Sequence, residues 1–253
     1  MLKEAIKYIV ELSKPNIYQD EVGDKWAKAD DRYELLERDP DTPNMLSVNT
    51  LSGLLTLLYE EGVPQHVLGG GKLFVQVENE RTVRVYTDYK HQGDHYFLRY
   101  LPYSATPDTP YVTVGREMSQ EQAIIELQSL YGDTPDRSYL LDLLSQISVE
   151  DGVTSADNGV TQTVTARQGV ALKETVLVKP IVQLQPYRTF LEVEQPVSDF
   201  LLRIGQNGRV TLHEADGGAW KLEAKNRIAQ YLRNAIAAES VRGTNANGLI
   251  VMI

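Results

Sequence analysis

The sequence predicts an α+β fold in which an antiparallel β-meander and C-terminal β-hairpins pack with an αα-hairpin and a long C-terminal helix. Three observations predict it. Runs rich in β-forming residues occur at 72–103 and again at 160–214. Two neighbouring helical patterns lie between these runs, and a third follows them. We therefore expect a single α+β domain over residues 1–253, with parts 1–149 and 150–253 as the alternative division.

The N-terminal part is predicted to contain two helices joined by a mainly polar stretch. Apolar residues at three- and four-residue spacing predict an amphipathic helix over residues 2–13. Residues 16–48 are polar with weak periodicity, which indicates short strands and loops. Leucines at helical spacing predict a second helix over residues 51–58, with Asn49 or Thr50 as its N-cap.

The middle of the chain predicts a meander followed by an αα-hairpin. KLFVQV, TVRVYTDY and HYFLRYLPY are three β-rich runs, and ENER and KHQGD between them are typical of hairpin turns. Ser119 forms a capping-box pattern with Gln122 ahead of one helical run. Thr134 as cap and Pro135 as first residue begin the next run, and two helices so close in sequence form an αα-hairpin.

The C-terminal part is predicted to be β-rich and to end with a long helix. GVTQTVTA, ETVLVKPIVQL and RTFLEV are predicted strands, with Pro180 and Pro186 excluded from any central ladder. DFLLRIG and RVTLHEA form a hairpin, because Asn207-Gly208 between them suits a turn with positive φ. An apolar stripe predicts a helix over residues 219–238, and GLIVMI is consistent with a last strand.

Composition and charge argue against several classes of protein. The chain of 253 residues has a formal net charge of −10, which opposes nucleic-acid binding because that affinity comes largely from cationic side chains. It has no cysteine, so disulfides and thiolate metal sites are excluded. We find neither a leader-like start nor an apolar run near the roughly 18 residues of a membrane span, and we expect a cytoplasmic protein with no membrane partner.

Three segments within residues 151–237 carry a resemblance to a known family. DGVTQTVTARQGVAL, LQPYRTFLEVEQPVSDFLLRI and LHEADGGAWKLEAKNRIAQYL resemble the YfdQ-like family, a phage and prophage group of unknown function. The N-terminal helix, KPNIY and LSVNTLSGLLTLL are similar more loosely. The resemblance implies a protein encoded by a tailed phage or prophage that acts in the cytoplasm of the infected bacterial host. It implies no catalytic residues.

The segment HEADGG, residues 213–218, has two interpretations as a site. Asp216, Gly217 and Gly218 at a helix start are the candidate ligand-binding residues, because consecutive glycines can present backbone N–H groups to an anion or a signalling nucleotide. Alternatively, Asp216 caps the helix and the glycines supply a tight turn, which we favour because an acidic pair repels phosphate. Strand alternation separates His213 from Glu214 and Asp216, which disfavours an acid/base cluster.

Tyrosine and arginine concentrate in the predicted meander. Both residue types are favoured at binding surfaces, although they also cover half-buried sheets. The interface candidates of the meander are Arg84, Tyr86, Tyr89, Tyr96, Arg99 and Tyr100. A threonine-rich strand face is a second candidate, either as an edge that adds a strand from another subunit or as a solvated face. Its residues are Thr161, Thr163 and Thr165.

Metal binding and catalysis are not predicted. His91 and His95, with Asp88 and Asp94, have a superficially metal-like spacing, but zinc needs three or four converging ligands and KHQGDH is more simply a polar turn. We therefore expect no metal and no cofactor. The chain has no nucleophile elbow, phosphate-binding loop or dinucleotide fingerprint, so we expect a protein that is not an enzyme.

The function predicted first is a phage-encoded, homo-oligomeric binding protein that counters a bacterial defence by binding a host protein or other host component. A self-assembling shell, ring or capsid-like protein is one alternative. Nucleotide or anion binding at Gly217-Gly218 is another. Arg188 is predicted to form a structural ion pair with Glu192 or Glu194 near a turn, without a chemical role.

Overall fold

The fold is that of a computed structural model, which describes part of the chain. The described residues are 3–4, 17–21, 24–29, 32–37, 44–61, 72–88, 90–92, 96–146, 156–157, 162–168, 172–205, 208–241 and 249–253. These residues form helices together with several antiparallel and mixed sheets, so the predicted α+β class is confirmed. The helix predicted over residues 2–13 lies outside the described residues except for Lys3 and Glu4, which are helical.

The described helices follow the predicted apolar patterns. They are α1 (Leu51–Thr56), which continues as a π-helical turn (Leu57–Glu61), α2 (Gln120–Ser129), α3 (Pro135–Gln146) and α4 (Ala219–Val241). Three of the predicted caps are confirmed. The hydroxyl oxygens of Thr50, Ser119 and Thr134 accept hydrogen bonds from backbone N–H groups three residues further along the chain.

The strands form five sheets in the described part of the chain. The strands are β1 (Ile17–Gln19), β2 (Lys25–Ala29), β3 (Arg32–Glu37), β4 (Leu46–Val48), β5 (Leu73–Asn79), β6 (Thr82–Thr87), β7 (Lys90–Gln92), β8 (Tyr96–Leu98), β9 (Tyr103–Ala105), β10 (Ala156–Asp157), β11 (Gln162–Gln168), β12 (Leu172–Val178), β13 (Ile181–Leu184), β14 (Ser198–Ile204), β15 (Val210–Glu214) and β16 (Leu249–Met252). The sheet orders are β1-β2-β3, β16-β5-β6-β9-β4, β7-β8, β10-β11-β12 and β13-β14-β15.

The five-stranded sheet confirms the first two strands of the meander and corrects the third. β5 and β6 form the predicted hairpin, but the run HYFLRYLPY is not one strand. Its residues Tyr96–Leu98 form β8, which pairs with β7, and only its last residue, Tyr103, belongs to β9, which pairs with β6. The first three residues of KHQGD, predicted as a turn, form β7. Cross-strand pairing overrides the turn-like composition of this polar run. The predicted last strand is confirmed for Leu249–Met252, β16, which lies parallel to β5 at one edge of the sheet.

Two apolar cores lie between described helices and sheets. In the first core, α2 and α3 pack on the β13-β14-β15 sheet, and Leu127, Leu144, Phe200 and Leu212 are among its buried residues. In the second core, α1 and α4 pack on one face of the five-stranded sheet. Each core combines residues from before and after position 150.

The β10-β11-β12 sheet changes the interpretation of the threonine-rich strand. β11 lies in the middle of this sheet, because it pairs with β12 along its length and with β10 at Gln162 and Thr163. The expectation that this strand is a free edge is therefore wrong at Thr163. Thr163 and Thr165 lie two positions apart on β11, which places them on one face. Thr161 lies outside the described residues.

Candidate functional site

The HEADGG segment has the geometry of a helix cap. The Asp216 carboxylate accepts hydrogen bonds from the N–H groups of Gly218 at 3.0 Å and Trp220 at 3.3 Å. Gly217 and Gly218 have φ values of 64° and 81°, a left-handed conformation that favours glycine. The Asp216 carboxylate thus accepts the hydrogen bonds that these N–H groups at the start of α4 could otherwise donate to an external anion.

The histidine and the first acid of this segment point to opposite sides of β15. His213 lies opposite Leu201 and is exposed, whereas Glu214 lies opposite the buried Phe200. Glu214 is turned towards Arg188, which pairs with it. The strand alternation predicted from sequence is confirmed, and His213 and Glu214 do not form an acid/base pair.

Arg188 is the centre of a buried polar cluster. Its side chain is 8% exposed, and its Nη1 donates to Glu214 Oε1 at 2.7 Å. Its Nη2 donates to the Ser198 hydroxyl, and its guanidinium carbon lies 3.7 Å from the centroid of the Trp220 ring. The prediction that Arg188 pairs with Glu192 or Glu194 is therefore wrong. Its partner lies on β15, 26 residues along the chain.

The electrostatics of this cluster favour a structural role. Burial lowers the pKa of Arg188, while the negative charges of Glu214 and Asp216 act in the opposite direction. Burial also raises the pKa of Tyr131 well above its ordinary value. A guanidinium remains charged and a phenol of raised pKa remains neutral at pH 7, so neither group is suited to exchange a proton there.

The loop between β13 and β14 is closed by the side chain of Gln195, which is 5% exposed. Its amide oxygen accepts hydrogen bonds from the N–H groups of Arg188 and Thr189, at 2.9 and 3.1 Å. Its amide nitrogen donates to the carbonyls of Phe190 and Val193. One side chain thus satisfies four backbone groups of an irregular segment, which would otherwise be costly to bury.

The same loop reaches both the first helix and the last. The Glu192 carboxylate accepts hydrogen bonds from the N–H groups of Leu51 and Ser52 at the start of α1, in addition to the predicted cap by Thr50. On the other side, Arg227 of α4 donates to two carbonyls of the loop. Sequence reasoning missed these contacts because the partners lie far apart in the chain.

Two of the predicted tyrosine and arginine candidates, Arg84 and Tyr86, lie on one side of the five-stranded sheet. Val75, Val77, Val83 and Val85 point into the second core, so the residues between them point to the opposite side. We call this side the outer face. It consists of Phe74, Gln76, Arg84, Tyr86, Ile250 and Met252.

The outer face has two rows that each cross three strands. Ile250, Phe74 and Tyr86 form an apolar and aromatic row, and Met252, Gln76 and Arg84 form the neighbouring row. Ile250 is 40% exposed, and the Arg84 side chain is 39% exposed. The rows therefore form a contiguous, accessible surface of the kind that tyrosine and arginine favour at interfaces.

Two cationic side chains border the aromatic row. The Arg99 guanidinium lies 4.8 Å from the centroid of the Phe74 ring. Arg84 forms an ion pair with Glu78 at 3.1 Å. The face therefore combines aromatic area with directional hydrogen-bond donors at its border.

The remaining interface candidates are only partly placed. Tyr100 follows the sheet, where its N–H donates to the Thr87 hydroxyl, and burial raises the pKa of its phenol. Tyr96 is a residue of β8, and Tyr89 lies outside the described residues. The sequence did not predict that Phe74 and the β16 residues belong to this surface. β16 pairs in parallel with β5, which lies far away in the chain, and no pattern of neighbouring residues indicates such a pairing.

Among the residues that the structure describes, no group of three or more histidine and carboxylate side chains is arranged to hold a metal ion. No helix in the described part of the chain has the length and apolar character needed to cross a membrane. No protein-family model, curated protein or solved structure matches the chain.

Proposed function

We propose that this chain is a binding protein without catalytic activity, that it forms homo-oligomers, and that the outer face is its contact surface. The observation that carries the proposal is the pair of rows across β16, β5 and β6. They bring Phe74, Tyr86 and Ile250 into one accessible strip bordered by Arg84 and Arg99. Aromatic side chains beside arginine give large contact area at small entropic cost, which suits a protein interface.

The resemblance to the YfdQ-like phage and prophage family supports the setting of this proposal. A phage protein that binds a host component in the cytoplasm of the infected bacterium, and so counters a defence system, needs a surface rather than a catalytic centre. The Asp216 cap and the Arg188–Glu214 ion pair support the same view, because the Asp216 carboxylate bonds to backbone N–H groups and the Glu214 carboxylate bonds to Arg188.

The mass of the protein in solution tests the oligomer. We expect sedimentation at micromolar concentration to give a multiple of the 28.4 kDa chain. The double variant Arg84→Glu, Tyr86→Ala should sediment as a monomer. Arg233→Glu, which makes the same charge change at an exposed position of α4, should keep the wild-type mass. A monomeric wild-type chain, or equal masses for all three proteins, would contradict the proposal.

A self-assembling shell or ring is the second candidate function. It is favoured by the β1-β2-β3 sheet, none of whose described residues belongs to either core. A peripheral sheet of this kind suits contacts between subunits. Single-particle mass measurement separates the candidates, because a shell gives discrete large particles and a binding oligomer gives small species.

A further inference from the structure

One face of the β1-β2-β3 sheet carries a cluster of aromatic rings. Tyr18 lies opposite Trp26 across β1 and β2, and Tyr33 lies opposite Lys28 across β2 and β3. Because Trp26 and Lys28 are two positions apart on β2, all four side chains belong to the same face. Leu35, opposite Trp26, completes it. The aromatic side chains of all three strands are thus assembled on one side of a small sheet.

The rings border an open cleft of about 440 Å³, lined by Tyr18, Asp20, Trp26 and Tyr33. The Tyr18 and Tyr33 rings have centroids 6.4 Å apart and are inclined at 62°, so they form two walls at an angle. Tyr18 is 56% exposed and Tyr33 is 59% exposed. Their ring surfaces are therefore accessible to a ligand.

A carboxylate fixes the third wall. Asp20 Oδ2 accepts a hydrogen bond from Trp26 Nε1 at 2.8 Å, and Asp20 Oδ1 accepts one from the N–H of Asp24 at 3.0 Å. The Asp20 N–H in turn donates to the Asp24 carbonyl at 3.1 Å. These bonds close the turn between β1 and β2 and hold the indole in place, so the cleft is preorganised.

We propose that this cleft binds an organic cation of the quaternary or methylated ammonium class. Three aromatic rings, whose π-systems attract cations, line the cleft, and a carboxylate stands beside them. A methylated ammonium ion is bulky, its methyl groups are apolar, and it is weakly hydrated. Its transfer from water into the cleft therefore costs little free energy of hydration. A small neutral molecule of the same shape would fill the cleft but would gain nothing from Asp20 or from the ring charge distribution.

Lys28 provides an internal check on this inference. It is exposed and lies on the same face, opposite Tyr33, so its positive charge opposes a bound cation. Replacing it with methionine keeps most of the side-chain length and removes the charge. The cation hypothesis therefore predicts tighter binding for Lys28→Met, whereas a purely apolar cleft predicts no such charge effect.

The test is a calorimetric titration of the full chain with choline and with 3,3-dimethyl-1-butanol, which has the same shape without the charge. We expect choline to bind, the neutral alcohol to bind at least about fivefold more weakly, and Lys28→Met to bind choline about two- to fivefold more tightly. Tyr33→Leu should weaken choline binding about fivefold, and Tyr33→Phe, which keeps the ring, should bind as the wild type does. Both substitutions are at an exposed position, so the fold is retained.

Tryptophan fluorescence gives a second readout. The chain has two tryptophans, and Trp220 is buried against Arg188. A change on adding choline that is lost in Trp26→Phe therefore reports on the cleft. Equal binding of the charged and neutral ligands would leave an apolar cleft only and overturn the proposal. No binding of choline, together with a smaller mass in solution for Trp26→Glu, would overturn it in favour of a contact between copies.

Discussion

Neutralising Glu214 should destabilise the protein by about 2 to 3 kcal/mol. Removing one partner of a buried ion pair costs roughly 3 to 5 kcal/mol, because the other charge is left buried without compensation. Arg188 is the more buried partner, with 8% of its side chain exposed, and Glu214 is 34% exposed. Partial hydration of the pair and the amide oxygen of Glu214→Gln reduce the cost below that range, to about 2 to 3 kcal/mol.

Removing both charges should restore part of this loss. Arg188→Met leaves Glu214 unpaired but free to rehydrate, although it also loses the bond to Ser198 and the stacking on Trp220. In the double variant no buried charge is left unpaired. We therefore expect Arg188→Met, Glu214→Gln to be more stable than the sum of the two single effects, with a coupling energy of about 1.5 to 3 kcal/mol.

Urea unfolding at neutral pH, followed by far-ultraviolet circular dichroism, measures these free energies. The ion pair of Arg209 and Glu117, which lies outside the outer face, is the control, since its side chains are 58% and 65% exposed. The cycle with Arg209→Met and Glu117→Gln should give a coupling of about 0 to 1 kcal/mol. The reasoning is refuted if both cycles give the same coupling, or if Glu214→Gln stays within about 0.5 kcal/mol of the wild type.

Two further predictions concern Asp136 and the cap of α4. Burial alone would raise the pKa of Asp136, but the N–H of Gln183 and the ammonium of Lys179 outweigh it and lower the pKa. The pair of Asp136 and Lys179 thus stabilises the fold above about pH 4, and this contribution is lost as the pH falls. Between about pH 6 and pH 3 the urea midpoint of Asp136→Asn should therefore fall less than that of the wild type. An equal fall in both proteins would contradict this. Asp216→Ala should cost about 1 kcal/mol, and Gly217→Ala, at φ 64°, about 1 to 2 kcal/mol; wild-type urea stability in Asp216→Ala would rule out the cap.

Local signals allowed the sequence to predict much of the fold. Ser119 and Thr134 begin α2 and α3 because their hydroxyls satisfy nearby N–H groups, and such bonds depend only on neighbours in the chain. The apolar stripe of α4 likewise has its own period, and Trp220, Ile228 and Leu232 are buried as expected.

Contacts between distant segments set the limit of sequence reasoning. The run containing His91 has the composition of a turn, yet it forms β7 because β8 is available to pair with it. Only part of the outer face could be predicted from sequence, because it is assembled from strands that lie far apart in the chain. Arg84, Tyr86 and Arg99 were identified as surface candidates from composition, while Ile250 joins them only through the parallel pairing of β16 with β5.

The loop between β13 and β14 shows why an unusual motif need not indicate catalysis. In PYRTFLEVEQP, Gln195 bonds to four backbone groups of the loop, and Glu192 bonds to the start of α1. Thr189 donates to the carbonyl of Glu80 in the β5–β6 turn, while Arg188 reaches Glu214 on β15. An irregular segment that lies between two cores cannot satisfy its backbone through a ladder, so polar side chains must do so. The motif PYRTFLEVEQP is thus accounted for by the hydrogen bonds of this loop, and among the described residues the two exposed aromatic faces are the surfaces for which we propose a function.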